Sequence, residues 1–231
     1  CVTLDNSSLN CWGRNNYGQL GIGSTTQHSS PQWVNLGSNR IAAAISLGVW
    51  HTCAVLDNSS LECWGYDAYG QIGNGGSDYV LDSPTYIDLS AGRTVSSDSD
   101  LDGDGVIDSN DDFLNNPARS INCPAGSYGR YVCIDASAGN YVANNSWLIY
   151  DSQNLATGYA HTCAILDNGS VTCWGSNNYG QLGDGTTTSR NTPTQTSSLG
   201  PGRTAVAITS GRDHTCAILD DGSVSCWGYN N

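Results

Sequence analysis

The chain has 231 residues, of which 28 are glycine and only 13% are charged, a composition that points to many tight turns and short strands and so to an all-β protein. Its net charge is −13 and its eight basic residues are scattered arginines, which excludes a Lys/Arg stripe able to neutralise a phosphate backbone and with it nucleic acid as a partner. No apolar run of about eighteen residues occurs, so no helical membrane span is expected.

From the first residue onward, the ten cysteines form five pairs of one interval: Cys1/Cys11, Cys53/Cys63, Cys123/Cys133, Cys163/Cys173 and Cys216/Cys226. A zinc ligand pair has a gap of roughly two to four residues. Disulfides made in an oxidising compartment are therefore the better reading, and an extracellular protein, secreted or at the cell surface, is expected. A start at cysteine rather than methionine is expected of a processed protein or of a window in a longer one.

The segment Cys163 to Gly175 returns at Cys53, at Cys216 and more loosely at Cys1. Three copies continue alike, through Asn15-Asn16-Tyr17-Gly18-Gln19-Leu20-Gly21, Asp67-Ala68-Tyr69-Gly70-Gln71-Ile72-Gly73 and Asn177-Asn178-Tyr179-Gly180-Gln181-Leu182-Gly183. Pro31, Pro84 and Pro193 follow at similar distances, and a short apolar strand and a glycine then lead to the next His-Thr-Cys. Between the cysteines, apolar and polar residues alternate on both sides of Asp167-Asn168-Gly169, which predicts a hairpin with glycine in the left-handed position. Pairing Leu166 with Ser170 sets Cys163 opposite Cys173, within disulfide reach.

Successive repeats start 52 to 53 residues apart except in the middle, where aligning Arg93-Thr94-Val95 with Arg203-Thr204-Ala205 locates an insert at about 96–154. The predicted organisation is 1–95 for two β-repeats, 96–154 for the insert, and 155–231 for the end of repeat two, a third repeat and a partial fourth. An insert just before the last strand of a repeat falls where a loop tolerates it.

The pattern C-x9-C-W-G-x-N-x-Y-G-Q-L-G resembles the repeat of the regulator of chromosome condensation family, and the paired cysteines resemble those of its secreted microbial versions. The resemblance implies a β-propeller with four-stranded blades and about seven blades to a ring. Three repeats and a stub do not close such a ring, so the expectation is either a piece of a longer polypeptide or an open array whose ends meet neighbouring copies. The family's nucleotide-exchange activity on a small GTPase is not carried over, because fold does not fix function.

The insert carries the sharpest chemistry. With Asp100 as loop position 1, carboxylates stand at positions 1, 3, 5, 9 and 12, as Asp100, Asp102, Asp104, Asp108 and Asp111, with Gly105 at the turn. This is the spacing of a calcium loop, to which the Val106 carbonyl adds a ligand, while Asp98 and Asp112 complete the shell or serve a second ion. The run resembles thrombospondin type 3 calcium repeats, and Ca2+ is the expected cofactor. The Cys123–Cys133 segment behind it reads as a disulfide hairpin. Asn6, Asn58, Asn144 and Asn168 stand in sequons and are candidate glycosylation sites.

Three histidines, His51, His161 and His214, stand two residues before a cysteine, and a residue repeated in each unit reads as structural. Trp12, Trp64, Trp174 and Trp227 follow a cysteine and read as core between units, leaving Trp33, Trp50 and Trp147 as candidates for a partner surface. Asp220 and Asp221 occupy a turn. No nucleophile or metal-protease motif is present, and every cysteine has a mate, so no enzyme is expected. The expected function is a structural or adhesive extracellular protein stabilised by disulfides and Ca2+, joined head to tail into a surface filament through its partial repeats. The alternative is a secreted propeller module that binds glycans or proteins.

Overall fold

The structure, a computed structural model, describes residues 1–4, 8–38, 40–76, 78–90, 92–96 and 154–230. Two compact units divide the chain, one of Cys1–Ser97 with Asp151–Asn231 and one of Asp98–Tyr150, and the second lies outside the described residues.

Among the described residues, all fourteen regular elements are β-strands. The first sheet joins β1 (Val2–Thr3), β2 (Leu9–Gly13) and β3 (His28–Val34); the second joins β4 (Ala42–Leu47), β5 (His51–Leu56), β6 (Leu61–Tyr66) and β7 (Val80–Ile87). The third joins β8 (Leu155–Thr157), β9 (His161–Ile165), β10 (Val171–Gly175) and β11 (Arg190–Gln195); the fourth joins β12 (Ala205–Ser210), β13 (His214–Leu219) and β14 (Val224–Gly228). Each is an antiparallel meander in chain order. Pro31, Pro84 and Pro193 lie on β3, β7 and β11, the outer strands, where a missing N–H interrupts no ladder.

The sheets are phased differently from the sequence repeat. The apolar strand that closes each repeat pairs with the hairpin after it, as β12 does with β13, because Gly211 N–H bonds back to His214 O at 2.9 Å and turns the chain at once. Four sheets therefore stand where three repeats and a stub were expected, and the last repeat's hairpin is part of a three-stranded sheet. The hairpins follow the expected register: Cys53↔Cys63, Cys163↔Cys173 and Cys216↔Cys226 are direct cross-strand partners, joined as disulfides. Cys1 and Cys11 are joined likewise, whereas Cys123 and Cys133 lie outside the described residues. Gly169 and Gly222 hold the left-handed tip position, which Ser59 fills in the second sheet at φ 62°.

A β-bulge marks the site of the insert. Strands β4 and β12 each carry an extra residue, between Ala42 and Ala44 and between Ala205 and Ala207. In the third sheet Val95 pairs with Leu166 as Ala205 does with Leu219, and the ladder resumes at Leu155. The long excursion leaves and returns at the bulge, and its two edges meet where Asn154 Nδ2 donates to Ser96 O at 3.1 Å. A bulge already lacks pairing on one side, so an insertion there costs no ladder bond.

Three thin cores fill the spaces between successive sheets rather than one central core. Leu9, Leu20, Leu56 and Trp64 pack between the first two; Val55, Ile72, Leu155 and Trp174 between the second and third; Ile165, Leu182, Ala205 and Leu219 between the last two.

Candidate functional site

One contact recurs between neighbouring sheets and explains the Gly-Gln-Leu-Gly motif. Gln19 O accepts from Trp64 Nε1 at 3.1 Å and Thr52 Oγ1 at 2.9 Å; Gln71 O and Gln181 O accept likewise from Trp174 and Thr162, and from Trp227 and Thr215. The indole lies so close to the glycine of the same loop that a Cβ on Gly73 would stand 2.6 Å from Trp174 Nε1. Only glycine fits there.

The repeated histidine completes the lock. His51 Nε2 lies 2.9 Å from Thr162 Oγ1, and His161 Nε2 lies 3.0 Å from Thr215 Oγ1. Each threonine hydroxyl spends its proton on a glutamine carbonyl, so the histidine must donate through Nε2–H, leaving Nδ1 bare and buried. Burial, then the neighbouring histidine of the next sheet, pushes His51 down to about 3 and His161 to about 4. These imidazoles are neutral structural donors and not acid–base groups, as their repetition suggested. His214, on the last sheet, is exposed.

The tryptophans divide in the same way. Trp64 and Trp174 are fully buried and Trp227 is partly so, but Trp12, which meets no glutamine carbonyl among the described residues, is 44% exposed. The expectation that all four are core between units therefore fails at Trp12.

Against this repeated frame, the Tyr17–Tyr66 contact has a counterpart in Tyr179–Tyr229 at 4.8 Å, but the Arg14–Trp50 pair beside it occurs once among the described residues. Trp50, in the turn between β4 and β5, takes a place filled by Ala160 in the third sheet and Asp213 in the fourth. Tyr17, from the first sheet's loop, meets Trp50 edge-on at 5.2 Å and Tyr66 at 4.7 Å, and Tyr66 meets Tyr69 at 6.4 Å. The Arg14 guanidinium lies 4.5 Å over the Trp50 ring. Arg40, Arg93, Arg190, Arg203 and Arg212 each face a carboxylate, and among the described residues Arg14 does not. Burial pushes the Tyr66 phenol up, and Tyr69, Tyr17, Tyr79 and Tyr159 add to it, which places five phenols in one neighbourhood. Tyr69 and Tyr79 are 46% and 70% exposed, so the cluster is a half-buried aromatic face with a cation at its side.

The expected calcium ligands, Asp98, Asp100, Asp102, Asp104, Val106, Asp108, Asp111 and Asp112, lie outside the described residues, as do Trp147, Asn6 and Asn144. Asn58 and Asn168 are exposed at hairpin tips, where each side-chain oxygen accepts from the serine two residues on. Asp221 caps its turn in the same way through Ser223. Trp33 is 60% exposed on β3, away from the Arg14 cluster in sequence and strand. Sequence reasoning singled out Trp50 but missed Arg14, whose signal was its departure from the repeat: Arg14, Tyr66, Ser176 and Tyr229 share one position, whereas Tyr17 and Tyr69 stand where each copy has a tyrosine.

Three- and four-stranded meanders packed face to face around shared loops, each locked to the next by a glutamine carbonyl, resemble the blades of a β-propeller. Two models of the regulator of chromosome condensation (RCC1) repeat match the sequence, one at residues 8–55 and 168–218 and the other at 42–71 and 153–181, together more than half of the chain. The chain belongs to that family. It is 26% identical to the ultraviolet-B receptor UVR8 of Arabidopsis thaliana over 98% of its own length and 50% of the relative's, so it spans half of that protein. Human WBSCR16 has the same fold, with a TM-score of 0.63 at 18% identity over 98% of this chain and 44% of that one. So does yeast RCC1 (Prp20) bound to Kap60, at 0.61 and 15%, over 97% and 40%.

Proposed function

We propose that this chain is an extracellular, non-catalytic module, secreted or held at a cell surface, which serves in adhesion or in a surface assembly. Its disulfide-closed blades form a rigid support that presents the Arg14–Trp50 face to a protein partner. The observation that carries the extracellular reading is a disulfide at the same hairpin register in each of the four sheets, a pattern that reducing compartments do not maintain. Peptide mapping of native material under non-reducing conditions tests it; free thiols at Cys53, Cys63, Cys163 and Cys173 overturn it.

The non-catalytic reading rests on the repetition of the buried ionisable groups: His51 and His161 hold the same place in successive sheets, as structural donors do. Partner binding is supported by the aromatic face and by the yeast relative, whose structure holds Kap60. Calcium binding rests on the Asp100–Asp111 spacing alone: Ca2+ protects the insert from proteolysis in this reading, and equal cleavage with and without chelator refutes it. Self-association is one way to cover the exposed Trp12 on the first sheet and His214, Ile218 and Val224 on the fourth, faces that suit a further blade from the same polypeptide or from a neighbouring copy. Size measurement showing monomers at all concentrations removes the filament.

A second reading, glycan binding, is favoured by the exposed Trp33 and the non-repeated Trp50. Binding on a glycan array that is lost in Trp50→Ala selects it over a protein partner.

A further inference from the structure

Three loops of one design follow the Trp-Gly pairs, and they are anchored by Asn15, Asp67 and Asn177. Asn15 Oδ1 accepts from Leu20 N at 2.8 Å, while its Nδ2 donates to Ser24 O and Thr26 O at 2.7 and 2.9 Å. Asn177 repeats this, with Oδ1 accepting from Leu182 N at 3.0 Å and Nδ2 donating to Thr186 O and Thr188 O at 3.1 Å. The amide oxygen holds one arm of the loop, and the amide NH2 pins the other.

Asp67 keeps only the first half. Its Oδ1 accepts from Ile72 N at 2.8 Å, but Oδ2, in the place of the NH2, is buried and has no partner, in a residue 6% exposed. A carboxylate oxygen there is an acceptor where both sibling loops need a donor, and an orphaned buried acceptor is costly. Only the carboxylic acid has an O–H with which to pin the second arm.

We infer that the second loop is latched by a proton on Asp67, where the first and third loops are latched by a side-chain amide. Burial first of all, opposed by the Ile72 N–H and reinforced by the charge of Asp78 on the arm leading into β7, raises this carboxyl to about 6. A raised carboxyl gives its stabilisation in full below the ordinary value of 3.8 and loses it as pH rises through about 6. The loop is therefore tight in mild acid and looser at neutral pH, by on the order of 100-fold in its opening equilibrium.

The test is amide hydrogen exchange read at Ile72 and Leu182 in one molecule from pH 4 to 8, since their ratio cancels the common pH dependence of exchange. Protection of Ile72 relative to Leu182 falls up to about 100-fold across that range in the native chain. It stays flat in Asp67→Asn, and Asn177→Asp transfers the pH dependence to Leu182. A flat ratio in the native chain, or a fall that persists in Asp67→Asn, overturns the inference. So does protection of Ile72 at pH 8 that millimolar Na+ or Ca2+ restores in the native chain but not in Asp67→Asn, because the latch would then be a cation.

Discussion

The second and fourth sheets contain nearly the same central strand, yet they live in different surroundings. His51-Thr-Cys-Ala-Val-Leu56 is buried at every position, whereas His214-Thr-Cys-Ala-Ile-Leu219 alternates, with His214 and Ile218 exposed. The register within each hairpin is the same. Burial in this fold is thus conferred by the next blade, and a given residue is core or surface according to what docks on it.

The most forceful way to break that comparison is to remove the indole at matched positions. Trp174→Ala leaves a cavity and takes one of two donors from the Gln71 carbonyl, and is expected to cost about 3 to 5 kcal/mol, against less than about 1 kcal/mol for Trp12→Ala. Equal losses in denaturant titrations refute the lock. Acid gives the next contrast. His51 and His161 have depressed values in the fold, so the stability they permit is complete above pH 6.5 and falls as pH drops toward about 3 to 4. Thermal melts of His51→Gln are expected to lose part of that slope, and an unchanged slope refutes the assignment.

Opening one hairpin is milder. Replacing Cys163 and Cys173 together by alanine is expected to cost about 2 to 3 kcal/mol by loop-closure entropy, leaving the sheet paired. A change of register seen by cross-strand NMR contacts would show that the bond sets the pairing. The smallest effect sharpens the hairpin tips: Ser59→Gly relieves a left-handed serine and is expected to raise stability by about 0.5 to 1 kcal/mol. Gly169→Ser is expected to do the reverse, and its tip also lies 2.5 Å from Thr204 Cβ where a side chain would start.

Much of this was legible in the sequence because it is local. The Asp167-Asn168-Gly169 tip sets the register, and the register sets the disulfide. The phase of the blades was not legible, since the alternation in Ala205 to Ser210 marks a strand without saying which hairpin receives it. The aromatic face was half legible: Trp50 stood out as a break in the period, but its partner Arg14 comes from another sheet and is reached only by packing. Asp67 escaped notice because Asn and Asp are equivalent in turn chemistry. They differ only once burial makes the distinction between a donor and an acceptor matter.

The prolines of β3, β7 and β11 carry one more consequence. Each occupies the outer edge strand of its sheet, an open ladder of the kind onto which a foreign chain zips. With Pro31, Pro84 and Pro193 breaking that template, amyloid-like growth of crowded copies is hindered along the outer edges of the first three sheets. Association is channelled to faces and loops, where side chains choose the neighbour.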